Sequence, residues 1–164
     1  MWGDMSFFDY PTGGERVGSE EEEQYFLADR IEDDWALLLD HSRRRRFRAG
    51  EPVIEPNDAE RAFYLVIEGT LEAVGQEGRR GRTRPLRTFA SGALIGELSF
   101  FDGRPLGVLV RAVTDGEVVR VGVEELDEVA RLRPELARAI LFDLGRIVAG
   151  RLRHAQSSAK ASLV

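Results

Sequence analysis

Between Gly92 and Gly116 the chain reads GALIGELSFFDGRPLGVLVRAVTDG, and this stretch restricts the fold more than any other. Ile95-Gly96-Glu97-Leu98-Ser99-Phe100-Phe101 sets a glycine and a carboxylate before an apolar run too short for an ordinary helix. The turn Asp102-Gly103-Arg104-Pro105 follows, and Leu106 to Val113, apolar and rich in β-branched residues, reads as a strand. A glycine opening a short helix leaves unpaired backbone N–H groups, which suit an anion. The carboxylate one position later cannot serve a phosphate, but it can accept from a sugar hydroxyl beside one. The two needs together suggest a phosphorylated ribose.

Short strands with turns at close intervals surround this stretch. Arg43 to Arg48 leads into a strand, with solvent-facing arginines expected to pair with the acidic helix before it. Val53-Ile54, Phe63 to Ile67, Leu71 to Val74, Leu86 to Ala90 and Glu117 to Gly122 read as further strands. Glu68-Gly69-Thr70 closes a hairpin, and Gln76 to Pro85 is a polar loop carrying Arg79, Arg80, Arg82 and Arg84. Helices flank the strands. Leu27, Ile31, Trp35 and Leu38 recur at helical spacing, predicting a helix from Glu20 to about Asp40 with Glu20 to Glu23 in its first turn. Val123 to Arg133 carries Leu126, Val129 and Leu132. Pro134 opens a last helix lined by Leu136, Ile140, Leu144, Ile147, Val148 and Leu152, about twenty residues long. The expected fold is therefore mainly β: an eight-stranded antiparallel β-roll or jelly roll with flanking N- and C-terminal helices. The expected boundaries are a flexible tail at 1–19 with Trp2, Phe7, Phe8 and Tyr10, a domain at 20–153, and a flexible tail at 154–164.

Composition excludes several functions. With no cysteine and only His41 and His154, thiolate sites and clustered-histidine metal sites are ruled out, and the cytoplasm is the expected compartment. No apolar run approaches a membrane span. The net charge of −6 speaks against direct DNA binding. Nucleophile–base pairs, metal clusters and P-loops are missing, so no enzyme is expected, and no cofactor.

The cassette resembles the phosphate-binding cassette of cyclic nucleotide-binding domains, through Gly96, Glu97, Leu98, Ser99, Pro105 and Val110-Arg111-Ala112. Phe63-Tyr64-Leu65-Val66-Ile67-Glu68-Gly69 resembles that family's glycine-containing hairpin. The resemblance covers about 20–153. It implies that Gly96, Glu97, Leu98 and Ser99 hold the ribose and phosphate of cAMP or cGMP, with the final helix over the base. Where the family has its phosphate-binding arginine this chain has Leu106, followed by Gly107, Val108 and Leu109. Arg104, Arg146 and Arg151 are the candidates to replace it, while Arg111 is expected to face away. Without a ligand, Glu97 is expected to cap the short helix or pair with an arginine, and Leu106, Val108 and Leu109 to fill the pocket. The resemblance further implies a module that stands alone and signals to a separate effector protein. It also implies a homodimer through the final helix.

Overall fold

The computed structural model describes residues 26–27, 29–77 and 82–161. The elements run α1 (Glu32–Asp40), β1 (Arg43–Phe47), β2 (Pro52–Ile54), β3 (Ala62–Glu68), β4 (Leu71–Glu77), β5 (Arg82–Phe89), β6 (Leu94–Ile95), α2 (Glu97–Asp102), β7 (Leu109–Ala112), β8 (Gly116–Gly122), α3 (Val123–Leu132) and α4 (Pro134–Ala161). The eight strands form two four-stranded sheets, ordered β1-β8-β3-β6 and β2-β7-β4-β5, and every pairing is antiparallel. This is the jelly roll expected from the strand spacing, with helices at both ends of the described chain.

Strand β3 shows why the sheets stack as they do. Successive side chains on a strand point to opposite faces. Ala62, Tyr64 and Val66 enter the core between the sheets, alongside Ile54, Leu71, Phe89, Val110 and Val118. Phe63 and Leu65 face the other way, into a second core built with Phe26, Phe100, Val119, Val121 and the helices. A strand buried on both faces must be apolar at nearly every position, which explains the unbroken run Ala62 to Ile67. On α4, Leu136, Ile140, Leu144 and Ile147 are fully buried on one stripe.

Several elements differ from the sequence reading. Among the described residues the first helix begins at Glu32, and Leu27 and Ile31 lie outside it. Leu27 sits at φ 52, its N–H donates to Asp143 Oδ2 at 2.8 Å, and Ile31 is 64% exposed ahead of the helix. Leu27 is fully buried all the same, so its apolar character served a docking turn rather than a helical stripe. Strands β4 and β5 run into the segment read as a loop, because antiparallel pairing from Leu71↔Phe89 continues to Glu77↔Arg82. Among the described residues, the arginines of β1 pair with acids outside α1. Arg43 binds Glu125 at 2.8 Å, Arg44 binds Glu117, and Arg45 binds Glu51 at 3.2 Å and the carbonyls of Pro52 and Val53. Register explains the choice: β1 lies beside β8, which carries Glu117 and leads directly to Glu125. Leu132 and Leu152 are exposed rather than on buried stripes, and α4 continues past Arg153 to Ala161. The aromatic residues of 1–19, the acidic run Glu20 to Glu23, and Arg79 and Arg80 lie outside the described residues.

Candidate functional site

The short helix α2 is fixed by its ends. Gly96 precedes it at φ 85, a left-handed conformation that L side chains rarely adopt. A Cβ there would stand 3.0 Å from the Ala62 carbonyl oxygen, so β3 presses directly on the glycine. Gly103, at φ 70, stops the helix and donates its N–H to the Ser99 carbonyl. Phe100 anchors the helix from within, edge-on to Phe63 at 5.3 Å. The expected short helix opened by glycine is therefore present, set between β6 and the loop that leads to β7.

The cassette residues divide by environment. Gly96, Ser99 and Leu106 line one pocket with Ile54, Asp58, Glu60, Ala62 and Tyr64, a concavity of about 240 Å³ that includes its solvent-open part. Glu97 is buried and forms an ion pair with Arg151 of α4, Oε1 to Nη1 at 2.6 Å. Arg151 also donates to the Leu94 carbonyl at 2.8 Å, so α4 is tied to the β6–α2 junction. Leu98 is 56% exposed on the far side of α2. Arg104 extends into solvent and lies 3.9 Å from Asp102. Leu106 and Val108 are half-buried against the inter-sheet core. Gly107, at φ 76, donates its N–H to the Pro56 carbonyl and so fastens the cassette to the β2–β3 loop.

The other arginines considered for the phosphate are committed elsewhere. Arg111 donates to Glu72 Oε1 at 2.7 Å on the outer face, between the inward-facing Val110 and Ala112. Arg146 lies 3.6 Å from Asp143 on its own helix. The pocket instead carries the carboxylates of Asp58 and Glu60. No periodic signal marks these two in the sequence, because they belong to the irregular connection between β2 and β3. Glu60 accepts from Arg120 Nε at 2.7 Å, and Asp58 Oδ1 accepts from the Glu60 N–H at 3.3 Å. Burial, reinforced by the charges of Glu60 and Asp58, raises the Tyr64 phenol above its ordinary pKa. No group of three or more metal-binding side chains occurs among the described residues.

The family model for the cyclic nucleotide-binding domain matches residues 44–132. The CRP-like protein Clp of Xanthomonas campestris pv. campestris is 31% identical over 118 residues, covering 70% of this chain and 50% of Clp. The chain thus spans half the length of that curated relative. Among solved structures, the catabolite activator protein of Thermus thermophilus superposes with a TM-score of 0.71 at 25% identity, covering 83% of this chain and 62% of that one. The N-terminal domain of a Streptomyces coelicolor A3(2) transcriptional regulator gives 0.66 at 27% identity, covering 83% of this chain and 94% of that domain.

Proposed function

The chain belongs to the cyclic nucleotide-binding domain family, and from that membership we propose that it is a regulatory, non-catalytic module whose ordinary binding of cAMP or cGMP is weakened or lost. The observation that carries this reading is Leu106, packed half-buried against the inter-sheet core at the position where the family's cassette has its phosphate-binding arginine. A hydrogen bond to a charged group is worth roughly 1.5–3 kcal/mol. Leaving a desolvated charge unpaired costs roughly 2–5 kcal/mol. At about tenfold per 1.4 kcal/mol, these weaken a micromolar site by at least roughly tenfold and by up to several thousandfold.

Two further features favour the same reading. Asp58 and Glu60 line the pocket, so an incoming phosphate meets like charge. Glu97, which the resemblance assigns to the ribose, is already engaged by Arg151. A working module with a substitute arginine fits less well, because Arg104 is 86% exposed and Arg146 and Arg151 have carboxylate partners. The exposed Leu141, Phe142 and Leu152 on α4 support a homodimer through that helix. A separate effector protein remains part of this proposal. Thermal-shift titration of the wild type and of Leu106→Arg with cAMP and cGMP tests the reading. Stabilisation of the variant alone is expected, and equal stabilisation of both by micromolar nucleotide would refute it.

A further inference from the structure

Apolar burial holds α4 to the domain over only part of its length. Its fully buried stripe ends at Ile147, and every side chain from Leu152 to Ser157 is exposed. Glycine loosens a helix, and α4 carries Gly145 and Gly150 near this point. A helix end without packing frays. Arg151 comes directly after Gly150, and its guanidinium returns to the body of the domain. It pairs with Glu97 Oε1 at 2.6 Å and donates to the Leu94 carbonyl at 2.8 Å, on either side of Ile95-Gly96. The side chains of Glu97 and Arg151 are only 7% and 18% exposed, so the pair escapes most of the screening that weakens surface pairs. Removing one partner leaves a poorly solvated charge behind. Glu97 stands on the firmer side, since α2 is anchored on β3 through Phe100 and Phe63. Movement therefore belongs to α4. Arg146 pairs with Asp143 of the same helix, and Arg138 stacks on Phe142 at 5.1 Å, so neither ties the helix end to α2.

We propose that Arg151 and Glu97 form an internal latch that pins the distal part of α4, from Gly150 onward, to the cassette helix. The latch is built from the chain's own side chains, so it needs no ligand to close. It deepens, and rests on, the reading of a module with impaired nucleotide binding: the carboxylate that the resemblance assigns to a ribose is used to hold a helix. The course of α4 past Ile147, and with it the placing of exposed Leu152, is then set by one ion pair. Opening that pair frees the end of the helix. It leaves the core between the sheets as it was, because neither residue belongs to that core.

The test is hydrogen–deuterium exchange of the full chain without nucleotide, read by mass spectrometry. In Arg151→Gln the amides of Leu152 to Ser157 should exchange roughly tenfold faster or more, while those of β3, β4 and β8 keep their rates. Glu97→Gln should do the same. The double variant should be no worse than either single one, as when both changes remove one shared interaction. Unchanged exchange of these amides in both single variants overturns the proposal. So does an equal rise throughout the domain, which would make the pair a general stabiliser. The wild type decides should the variants fail to fold: the same amides should exchange at least about tenfold slower than an unstructured chain. Exchange at the unstructured-chain rate overturns the latch, and so does protection that vanishes on dilution, which would assign it to assembly. A parallel cAMP titration of the wild type separates the two readings. Tight binding defeats the loss of nucleotide recognition, whereas an unprotected helix end with no cAMP binding defeats only the latch.

Discussion

Leu106 and Gly107 show how two adjacent residues divide a site between what is legible and what is not. The resemblance puts an arginine where this chain has Leu106, a position set by the motif residues on either side. What else reaches that position is not visible in the sequence. Asp58 and Glu60 reach the same pocket from a loop with no period, and Arg151 reaches Glu97 from a distant helix. The conformation of Gly107 also limits what can be restored. At φ 76 a serine there would be strained, so a hydroxyl cannot simply be added beside a new arginine. Leu106→Arg alone is therefore the informative change. It should tighten cAMP binding by about tenfold or more, from one charge-assisted hydrogen bond of roughly 1.5–3 kcal/mol. Calorimetry on the variant checks this, and an affinity equal to that of the wild type would mean that Asp58 and Glu60 capture the new guanidinium.

At the scale of elements, apolar periodicity found the strands and both C-terminal helices, since their buried stripes are regular. It failed where burial came without helix. Phe26 and Leu27 are buried by a docking turn that contacts Trp35, Phe63 and Asp143. Phe26 packs edge-on against Phe63 at 5.7 Å, so Phe26→Ala should cost about 3–5 kcal/mol in chemical denaturation. A loss below about 1 kcal/mol would show that this turn does not belong to the cooperative core. The junction of β8 and α3 carries a pH signal. Burial alone would raise the Glu125 carboxyl, but backbone hydrogen bonds and the charges of Arg120 and Arg43 hold it below its ordinary 4.5. A lowered folded pKa gives stability that is complete above 4.5 and is lost as pH falls through the lower folded value. Glu125→Gln should keep a group able to accept from the Gly122 N–H while flattening the acid limb of the stability profile. An acid limb identical to that of the wild type would contradict this.

For the whole molecule, the structure separates two roles that the sequence merged on the last helix. Leu144 is fully buried inside the domain, so a charge there would test folding rather than assembly. Leu141, Phe142 and Leu152 are exposed on another side of α4. Leu152→Glu should convert a dimer to a smaller species in light scattering with the melting temperature little changed. A wild-type protein that is monomeric at high concentration would end that idea. The central claim concerns the ligand, and calorimetric titration of the wild-type chain with cAMP and with cGMP tests it most directly. The expected result is binding weaker than ~100 μM for both, at the weak end of the roughly 10- to 150-fold loss from one missing charge-assisted hydrogen bond to a micromolar site. Low-micromolar binding of either nucleotide would contradict it and would show that Leu106 is tolerated in a working site.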